Sequence, residues 1–192
     1  MTQSIRHKWD TVYSKQDKKP LACLALKENQ HLLPTSGVAL DLACGLGGNA
    51  LLLAQAGLNV QAWDISPVAI NQLQQEASRQ HLPIEGSVRD VEHKPPEENS
   101  VDVITVSYFL NRDLCSALVA ALRPGGLIFY QTYCRQKVKQ EGPVNQNYLL
   151  KDNELLTLFN DLQIRVYREE ALLGDHQQGL RNQALLVAEK QI

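Results

Sequence analysis

Residues 38–50 of the chain read VALDLACGLGGNA, and this stretch decides the fold. Its first five residues form an almost continuous apolar run, which is typical of a strand covered on both faces of a parallel sheet. The glycines at 45, 47 and 48 then allow a sharp turn, because glycine lacks a Cβ and adopts positive φ without strain. Alanine and leucine dominate residues 49–55, which predicts a helix directly after the turn. A strand, a glycine turn and a helix form the unit from which doubly wound α/β sheets are built.

The rest of the chain repeats this alternation of apolar runs and helical segments. Further strands are predicted at residues 59–63, 84–88, 101–106, 127–133, 162–167 and 183–188. The last two runs are joined by a glycine-containing connection with no helical pattern, so we expect an antiparallel pair at the sheet edge. The predicted fold class is therefore α/β, with a doubly wound seven-stranded sheet of five parallel strands plus a terminal antiparallel pair.

Helices are predicted between the strands. Ser66 and Pro67 supply an N-cap and a first-turn proline for a helix that ends near residue 80. Another helix is expected over 112–122, and Asp152 is expected to cap a helix whose leucines and Phe159 face the core. Residues 134–148 are polar and predict a long loop, a candidate lid. We predict one domain over 1–192, with residues 1–34 as a helical cap (helices 5–13 and 21–33) and 35–192 as the core.

Composition narrows the class of protein. The chain has 192 residues, of which 44% are hydrophobic, and a formal net charge of −2. Proteins that bind the nucleic-acid backbone usually carry a basic excess, so no nucleic-acid partner is expected. No run approaches the roughly 18 apolar residues of a membrane span, and the polar residues 1–9 lack the apolar run of a signal peptide, so neither is expected. The four cysteines are far apart and form no C-x-x-C pair, which indicates reduced thiols, a cytoplasmic location and no metal site.

Two acidic residues stand near the glycine turn. Asp64 ends the second predicted strand, 19 residues after Gly45, where a carboxylate can accept both hydroxyl hydrogens of a ribose. Asp41 precedes the turn, and a carboxylate there would repel a pyrophosphate but attract a cationic ligand. The glycine spacing also departs from the G-x-G-x-x-G pattern of dinucleotide-binding proteins. Either aspartate could instead only cap the helix that follows it.

Four segments in order resemble the motifs of class I S-adenosylmethionine-dependent methyltransferases: residues 41–47, 62–66, 89–91 and 122–127. The resemblance implies a Rossmann-like methyltransferase fold with S-adenosylmethionine as cofactor, Asp64 on its ribose and Asp90 near its adenine. The cofactor-binding residues that it implies are Asp41, Ala43, Gly45, Gly47, Asn49, Asp64, Ile65, Asp90, Val91 and Ser107.

Within the family, residues 109–112 and the leading Trp9-Asp10-x-x-Tyr13 segment resemble the small tellurite-resistance branch. That branch implies an aromatic cover over the cofactor, here Tyr13. Arg112 is a candidate for binding an anionic substrate, or a solvated residue of the next helix. None of the five histidines has an evident acidic partner in the sequence, and His176, in a glycine-flanked loop, is the one candidate base.

The predicted function is methyl transfer to a small molecule, with a thiol, metalloid oxyanion or similar soft nucleophile as acceptor. Such nucleophiles need no general base, and the sequence shows no obvious His–Asp or Cys–His pair. The alternatives are a catalytically silent cofactor-binding regulatory subunit and an NAD-type oxidoreductase. We expect a monomer or homodimer with a small-molecule substrate.

Overall fold

The computed structural model describes residues 2–16 and 19–192 of the chain. Seven strands form one sheet in the order β3-β2-β1-β4-β5-β7-β6. The strands are β1 (Val38–Leu42), β2 (Asn59–Asp64), β3 (Ile84–Val88), β4 (Val101–Ser107), β5 (Leu122–Tyr133), β6 (Gln163–Glu169) and β7 (Gln183–Glu189). The helices are α1 (Thr2–Tyr13), α2 (Leu24–Asn29), α3 (Gly48–Gln55), α4 (Pro67–Arg79), α5 (Cys115–Ala121) and α6 (Glu154–Leu158).

The strand directions confirm the predicted sheet. β1 to β5 pair in parallel with one another, and β7 is antiparallel to both β5 and β6. The β6–β7 pair is therefore the terminal antiparallel pair, at the edge beyond β5. Residues 1, 17 and 18 of the predicted N-terminal cap lie outside the described residues.

The order of strand addition reverses at β1. The chain adds β2 and β3 on one side of β1 and then returns to add β4 and β5 on the other side. In sheets of this kind a crevice opens at the carboxyl ends of the two strands that flank the reversal, and ligands bind there. Asp41 in β1 lies opposite Thr105 in β4 in the parallel register, so the two side chains meet near that crevice.

Both faces of the sheet are covered, as the apolar runs predict. Leu40 and Leu42 belong to a hydrophobic core that includes Leu118 of α5 and Leu155 of α6. The neighbouring residue Ala39 belongs to a second core on the opposite face, which α2, α3 and α4 cover. Because successive side chains of a strand point to opposite faces, one five-residue strand contributes to both cores.

The N-terminal helices differ from the prediction in where the second one begins. α2 begins at Leu24 rather than at Leu21, and the residues before it cross the glycine turn. The backbone N–H of Cys23 donates to Asn49 Oδ1 at 2.9 Å, and a Cβ added at Gly48 would lie 2.3 Å from the carbonyl oxygen of Leu21. These contacts take residues 21–23 out of a helix and lay them against the turn.

Two predicted features of the C-terminal half are wrong in detail. The helix expected over 112–122 is a 3-10 turn at Arg112–Leu114 followed by α5, and β5 already begins at Leu122. Asp152 does not cap α6; Asn153 stands at the N-cap with φ +59°, and Asp152 accepts a hydrogen bond from Gln136 Nε2 at 2.5 Å. Phe159 is fully buried as predicted.

No helix within residues 2–16 and 19–192 is both long and apolar enough to cross a membrane. In the same described ranges, no three histidine, cysteine, aspartate or glutamate side chains come close enough to hold a metal ion.

Candidate functional site

A cavity of about 420 Å³ lies at the carboxyl ends of β1 to β4, beneath α1. Ligand pockets typically enclose about 300–1,000 Å³, so it has room for a cofactor-sized molecule. The structure brings most of the predicted site residues to its wall: Tyr13, Ala43, Gly45, Asn49, Asp64, Ile65, Asp90, Val91 and Ser107. Asp41, Gly47, Arg112 and His176 do not line it.

The glycine turn forms the floor of the cavity. Ala43 (φ +54°), Gly45 (φ +53°) and Gly47 (φ +79°) all have left-handed backbone, which lets the chain leave β1 and enter α3 within a few residues. Gly47 turns away from the cavity, because a Cβ there would lie 2.3 Å from Leu73 Cδ1 in α4. It is therefore a packing position between the turn and α4 and does not face a ligand.

Asp64, at the end of β2, binds the glycine turn that forms the cavity floor. One carboxylate oxygen accepts a hydrogen bond from the Gly45 N–H at 2.9 Å, and the other accepts one from the Ser66 N–H at 2.9 Å. The side chain is 5% exposed, and burial raises its pKa despite these hydrogen bonds. A carboxylate has about four acceptor positions, so lone pairs remain for hydroxyl donors from the cavity.

Asp41 lies beneath the cavity instead of lining it. It is fully buried, and its carboxylate accepts hydrogen bonds from Thr105 Oγ1 at 2.9 Å, the Ala50 N–H at 3.0 Å and Asn49 Nδ2 at 3.3 Å. Desolvation raises its pKa to about 6, although these three donors stabilise the charged form. The carboxylate predicted to meet a cationic ligand thus anchors the first turn of α3.

Asn49 connects three elements beside the cavity. Its Nδ2 donates to Ser107 Oγ at 2.9 Å and to Asp41, and its Oδ1 accepts from the Cys23 N–H at 2.9 Å. The side chain is buried and all its polar atoms have partners, so Asn49 positions β4 and the segment before α2 around the turn. Asn49 therefore shapes the cavity wall and has no unpaired polar atom for a ligand.

Charged residues gather at the β3 end of the cavity. Asp90 Oδ2 lies 3.1 Å from His93 Nδ1, an acidic partner for a histidine that the sequence did not reveal. The Arg89 guanidinium lies 3.7 Å from the centre of the Trp63 ring and donates to the carbonyl oxygens of Lys94 and Pro95. Stacking on Trp63 thereby holds the loop after β3 in place at the cavity wall.

Aromatic side chains of α1 close the cavity from above. Tyr13 stacks with Trp9 at a centroid distance of 5.6 Å, and a Cβ added at Gly45 would lie 3.0 Å from Tyr13 Oη. α1 is held there by Asp10, which accepts a hydrogen bond from Ser66 Oγ at 2.5 Å. Burial, followed by the charge of Asp64, raises the pKa of Tyr13 far above its usual value, so its phenol is neutral.

Two predicted catalytic residues lie away from the cavity. Arg112 forms a two-pronged ion pair with Glu154, at 2.8 and 2.9 Å, and donates to the carbonyl oxygens of Asn147 and Leu149. Arg112 therefore connects the turn before α5 to α6 and to the loop after β5, and its N–H donors bind groups within the protein. His176 is exposed in the β6–β7 connection, with Nε2 2.6 Å from the carbonyl oxygen of Leu172.

Sequence reasoning missed several residues that shape the site. Thr105 is fully buried under Asp41, Arg89 stacks at the wall, and Leu21 lines the cavity entrance. Thr105 carries no signal, because a threonine in a buried strand satisfies the apolar pattern. The late start of α2 has no such local signal, because Pro20 restricts only the residue before it and is compatible with a helix that begins at Leu21.

The comparisons with known proteins agree with this geometry. A family model described as a methyltransferase domain matches residues 39–126, from β1 to the turn within β5. Hemagglutinin 1 from Eikenella corrodens is 29% identical over 138 residues, which cover 68% of this chain and 45% of that protein. "Probable S-adenosyl-L-methionine-dependent methyltransferase TehB" from Haemophilus influenzae is 24% identical over 135 residues, covering 68% of this chain and 47% of that protein. Residues 39–126 of the chain thus match a methyltransferase domain, in agreement with the resemblance that its motifs show.

Solved structures show the same methyltransferase fold. The crystal structure of TehB from Haemophilus influenzae aligns with a TM-score of 0.72 and 22% identity over 96% of this chain and 67% of that chain. The cyclase SpnF aligns with a TM-score of 0.74 and 16% identity over 100% of this chain and 97% of that chain. The seven-stranded fold is thus confirmed, and the methyltransferase-domain match together with the TehB relatives supports the predicted resemblance to the family and its TehB-like branch. The chain spans about half the length of the curated relatives that it matches.

The described residues fit the cofactor of this methyltransferase family. Gly45 lines the cavity without a side chain, and the Tyr13 hydroxyl lies directly over it, so the turn and Tyr13 together bound the space for a ligand. Asp64 faces the cavity with acceptor positions left over, as two vicinal hydroxyls require. The β3 end supplies a carboxylate at Asp90 and the apolar side chain of Val91. Together they match a ribose bound between an amino-acid moiety and an adenine.

Proposed function

We propose that this protein transfers the methyl group of S-adenosylmethionine to a small-molecule acceptor. The observation that carries the proposal is Asp64, held by the N–H groups of Gly45 and Ser66 at the wall of a cavity that extends across the reversal point of the sheet. Carboxylates at this position in such sheets accept ribose hydroxyls. The family match over residues 39–126 supports the same activity.

The chain's own residues would divide the binding between them. Asp64 would accept from the ribose, and Asp90 with Val91 would hold the adenine. Tyr13 would cover the ligand from α1, because its hydroxyl already lies over the turn. When bound, the cofactor supplies an activated methyl group: a bond forms from the acceptor nucleophile to the methyl carbon while the methyl–sulfur bond breaks, its electron pair staying on sulfur.

The acceptor nucleophile in this proposal is soft, such as a thiol. Ser107 Oγ accepts from Asn49, and Tyr13 has a pKa far above its usual value, so neither is a ready base. A thiolate or similar nucleophile needs alignment with the breaking bond more than it needs a base. The protein's part is then to hold the acceptor in line and to exclude water.

We propose a reducing, cytoplasmic location as well. The four cysteines are free and buried, at Cys23, Cys44, Cys115 and Cys134. Burial raises the pKa of each thiol, so they act as packed apolar side chains rather than nucleophiles. Free thiols persist where glutathione keeps them reduced.

Calorimetric titration separates the candidate functions. We expect S-adenosylhomocysteine to bind and NADH not to bind; binding of the nicotinamide cofactor alone would refute the proposal in favour of an oxidoreductase. Methyl transfer is then followed with radiolabelled S-adenosylmethionine over a panel of thiols. Tight cofactor binding without labelling of any acceptor would favour a regulatory subunit.

A further inference from the structure

The charges that line the cavity are concentrated at one end. Within the described ranges, its ionisable carboxylates and cations are Asp64, Arg89, Asp90, Glu92 and His93. All belong to the ends of β2 and β3 or to the loop after β3, and Arg89 and His93 are engaged by Trp63 and Asp90. Because the sheet runs β3-β2-β1-β4, these groups lie at the end where the proposed function places adenine and ribose.

Among the residues that the structure describes, those that line the opposite end of the cavity, at β4, are neutral and largely aromatic. Ser107, Tyr108 and Phe109 leave the end of β4 and line the wall there. Burial raises the pKa of Tyr108 to about 12, so its phenol carries no charge at neutral pH. Its ring packs 5.4 Å from that of Tyr133, centroid to centroid. The Lys137 ammonium lies 5.6 Å from the centre of the Tyr133 ring, donates to the carbonyl oxygens of Glu141 and Pro143, and does not line the cavity.

Large apolar side chains at this end are left exposed. Leu21 is 85% exposed and Tyr108 is 47% exposed, yet both line the cavity. The segments that carry them are linked through the turn: the Leu21 carbonyl lies against Gly48, and Asn49 donates a hydrogen bond to Ser107, next to Tyr108. An unburied apolar surface inside a cavity gains free energy when an apolar ligand covers it.

Tyr108 occupies this wall in an unfavourable backbone conformation. Its φ is +58°, which is an outlier for a bulky aromatic residue, and its N–H donates to the Gln131 carbonyl at 2.9 Å. Such conformations persist where the surrounding structure enforces them, and they cluster at functional sites. In this conformation Tyr108 lines the cavity and its ring packs against that of Tyr133.

We infer that the β4 end of the cavity is an acceptor subsite for an uncharged, apolar thiol, and that Tyr108 determines this preference. The inference rests on the proposed function, because the methyl group must lie at this end once the adenosine occupies the other. In the transfer, a bond forms between the acceptor sulfur and the methyl carbon, the donor carbon–sulfur bond breaks with its electrons kept by the donor, and the thiol proton passes to water. An oxyanion or carboxylate acceptor would be buried there without a facing cation, which is costly.

The experiment compares two acceptors that share a nucleophile and differ by one charge. Benzyl mercaptan and 4-(mercaptomethyl)benzoate are assayed for methylation. Their methylated products are then titrated calorimetrically into the protein saturated with S-adenosylhomocysteine. We expect the neutral compound to have at least about tenfold higher kcat/KM and at least about tenfold tighter binding, since the carboxylate loses hydration without gaining a partner. Selenite serves as the oxyanion and is expected neither to accept methyl nor to compete.

The variant Tyr108→Gly keeps the left-handed backbone and removes the ring, so it is expected to fold. We expect it to bind S-adenosylhomocysteine as the wild type does and to lose most of the preference for the neutral compound. Tyr148→Ala is the matched control, since Tyr148 is 51% exposed and does not line the cavity; it should keep the preference.

Four results would overturn the inference. Two concern the ligands: the carboxylate binds as tightly as the neutral compound or more tightly, or neither product binds. The other two are methylation of selenite in preference to the thiol and an unchanged preference in Tyr108→Gly. In each of these outcomes the wild type still binds S-adenosylhomocysteine. Failure of the wild type to bind it would instead refute the proposed function, and the subsite with it.

Discussion

Asp41→Asn offers a direct test of the buried network under the cavity. In the folded protein, desolvation raises the pKa of Asp41 from 3.8 to about 6, against the hydrogen bonds that favour its charged form. A group whose pKa is raised by folding contributes stability that is fully present below the unfolded pKa and is lost as the pH rises through the folded pKa. The wild type should therefore lose stability from this carboxyl between about pH 4 and pH 7.

The magnitude follows from the two pKa values. Integrating the linkage between roughly pH 4.5 and roughly pH 7.5 gives a loss on the order of 2 kcal/mol for wild-type Asp41. Asparagine has no such titration, so the variant lacks this loss. The asparagine replaces one acceptor oxygen by an NH2 group, and where this donor meets the Ala50 N–H a hydrogen bond is lost. The cost is about 1–3 kcal/mol and does not vary with pH. The variant's free energy of unfolding is therefore shifted by a constant amount at every pH, and only the wild type shows the additional dependence on pH from Asp41.

Urea denaturation of the protein without cofactor, followed by tryptophan fluorescence at several pH values, measures this slope. Glu85→Gln is the control, because it removes a carboxyl that is exposed on β3. Parallel pH profiles for wild type and Asp41→Asn would refute the reasoning, since they would mean that the buried carboxyl folds without a change in its pKa.

Three further substitutions test the site. Asp64→Ala should weaken S-adenosylhomocysteine binding by on the order of 1.5–3 kcal/mol, because hydrogen bonds to the ribose and to the Gly45 N–H are lost; a wild-type dissociation constant in calorimetry would contradict this role. Gly45→Ala places a Cβ on left-handed backbone, 3.0 Å from Tyr13 Oη. We expect a loss of stability of about 1–2 kcal/mol, measured as a lower melting temperature, and weaker cofactor binding. An unchanged melting temperature and an unchanged affinity would show that the turn tolerates a side chain. Arg112→Ala removes the ion-pair partner of Glu154, which keeps only the Lys151 N–H, and should destabilise the protein by about 1–3 kcal/mol and speed proteolysis of the loop after β5. The dissociation constant of S-adenosylhomocysteine should stay the same, and a tenfold weaker affinity would place Arg112 at the ligand.

The local pattern of the chain was enough to predict the frame of the site. β1, the glycine turn, Asp64 and the serine cap of α4 lie where the sequence indicates. Each depends on neighbouring residues alone: an apolar run buries a strand, glycines permit positive φ, and a polar residue at a strand end faces the crevice. These preferences act over a few residues and are legible without knowledge of the partners.

Partners across the sheet were decided by the tertiary structure. Asp41 accepts a hydrogen bond from Thr105, 64 residues away, and Arg112 pairs with Glu154, 42 residues away. Asp41 and Arg112 therefore bind other side chains of the protein instead of facing a ligand. Asn49 likewise captures the Cys23 N–H and shortens α2. The sequence alone determined the burial of β1, the glycine turn after it and the end of β2 at Asp64, because hydropathy and backbone freedom are local properties. The pairing of polar groups required the assembled fold, because a hydrogen bond depends on which elements come within about 3 Å of one another.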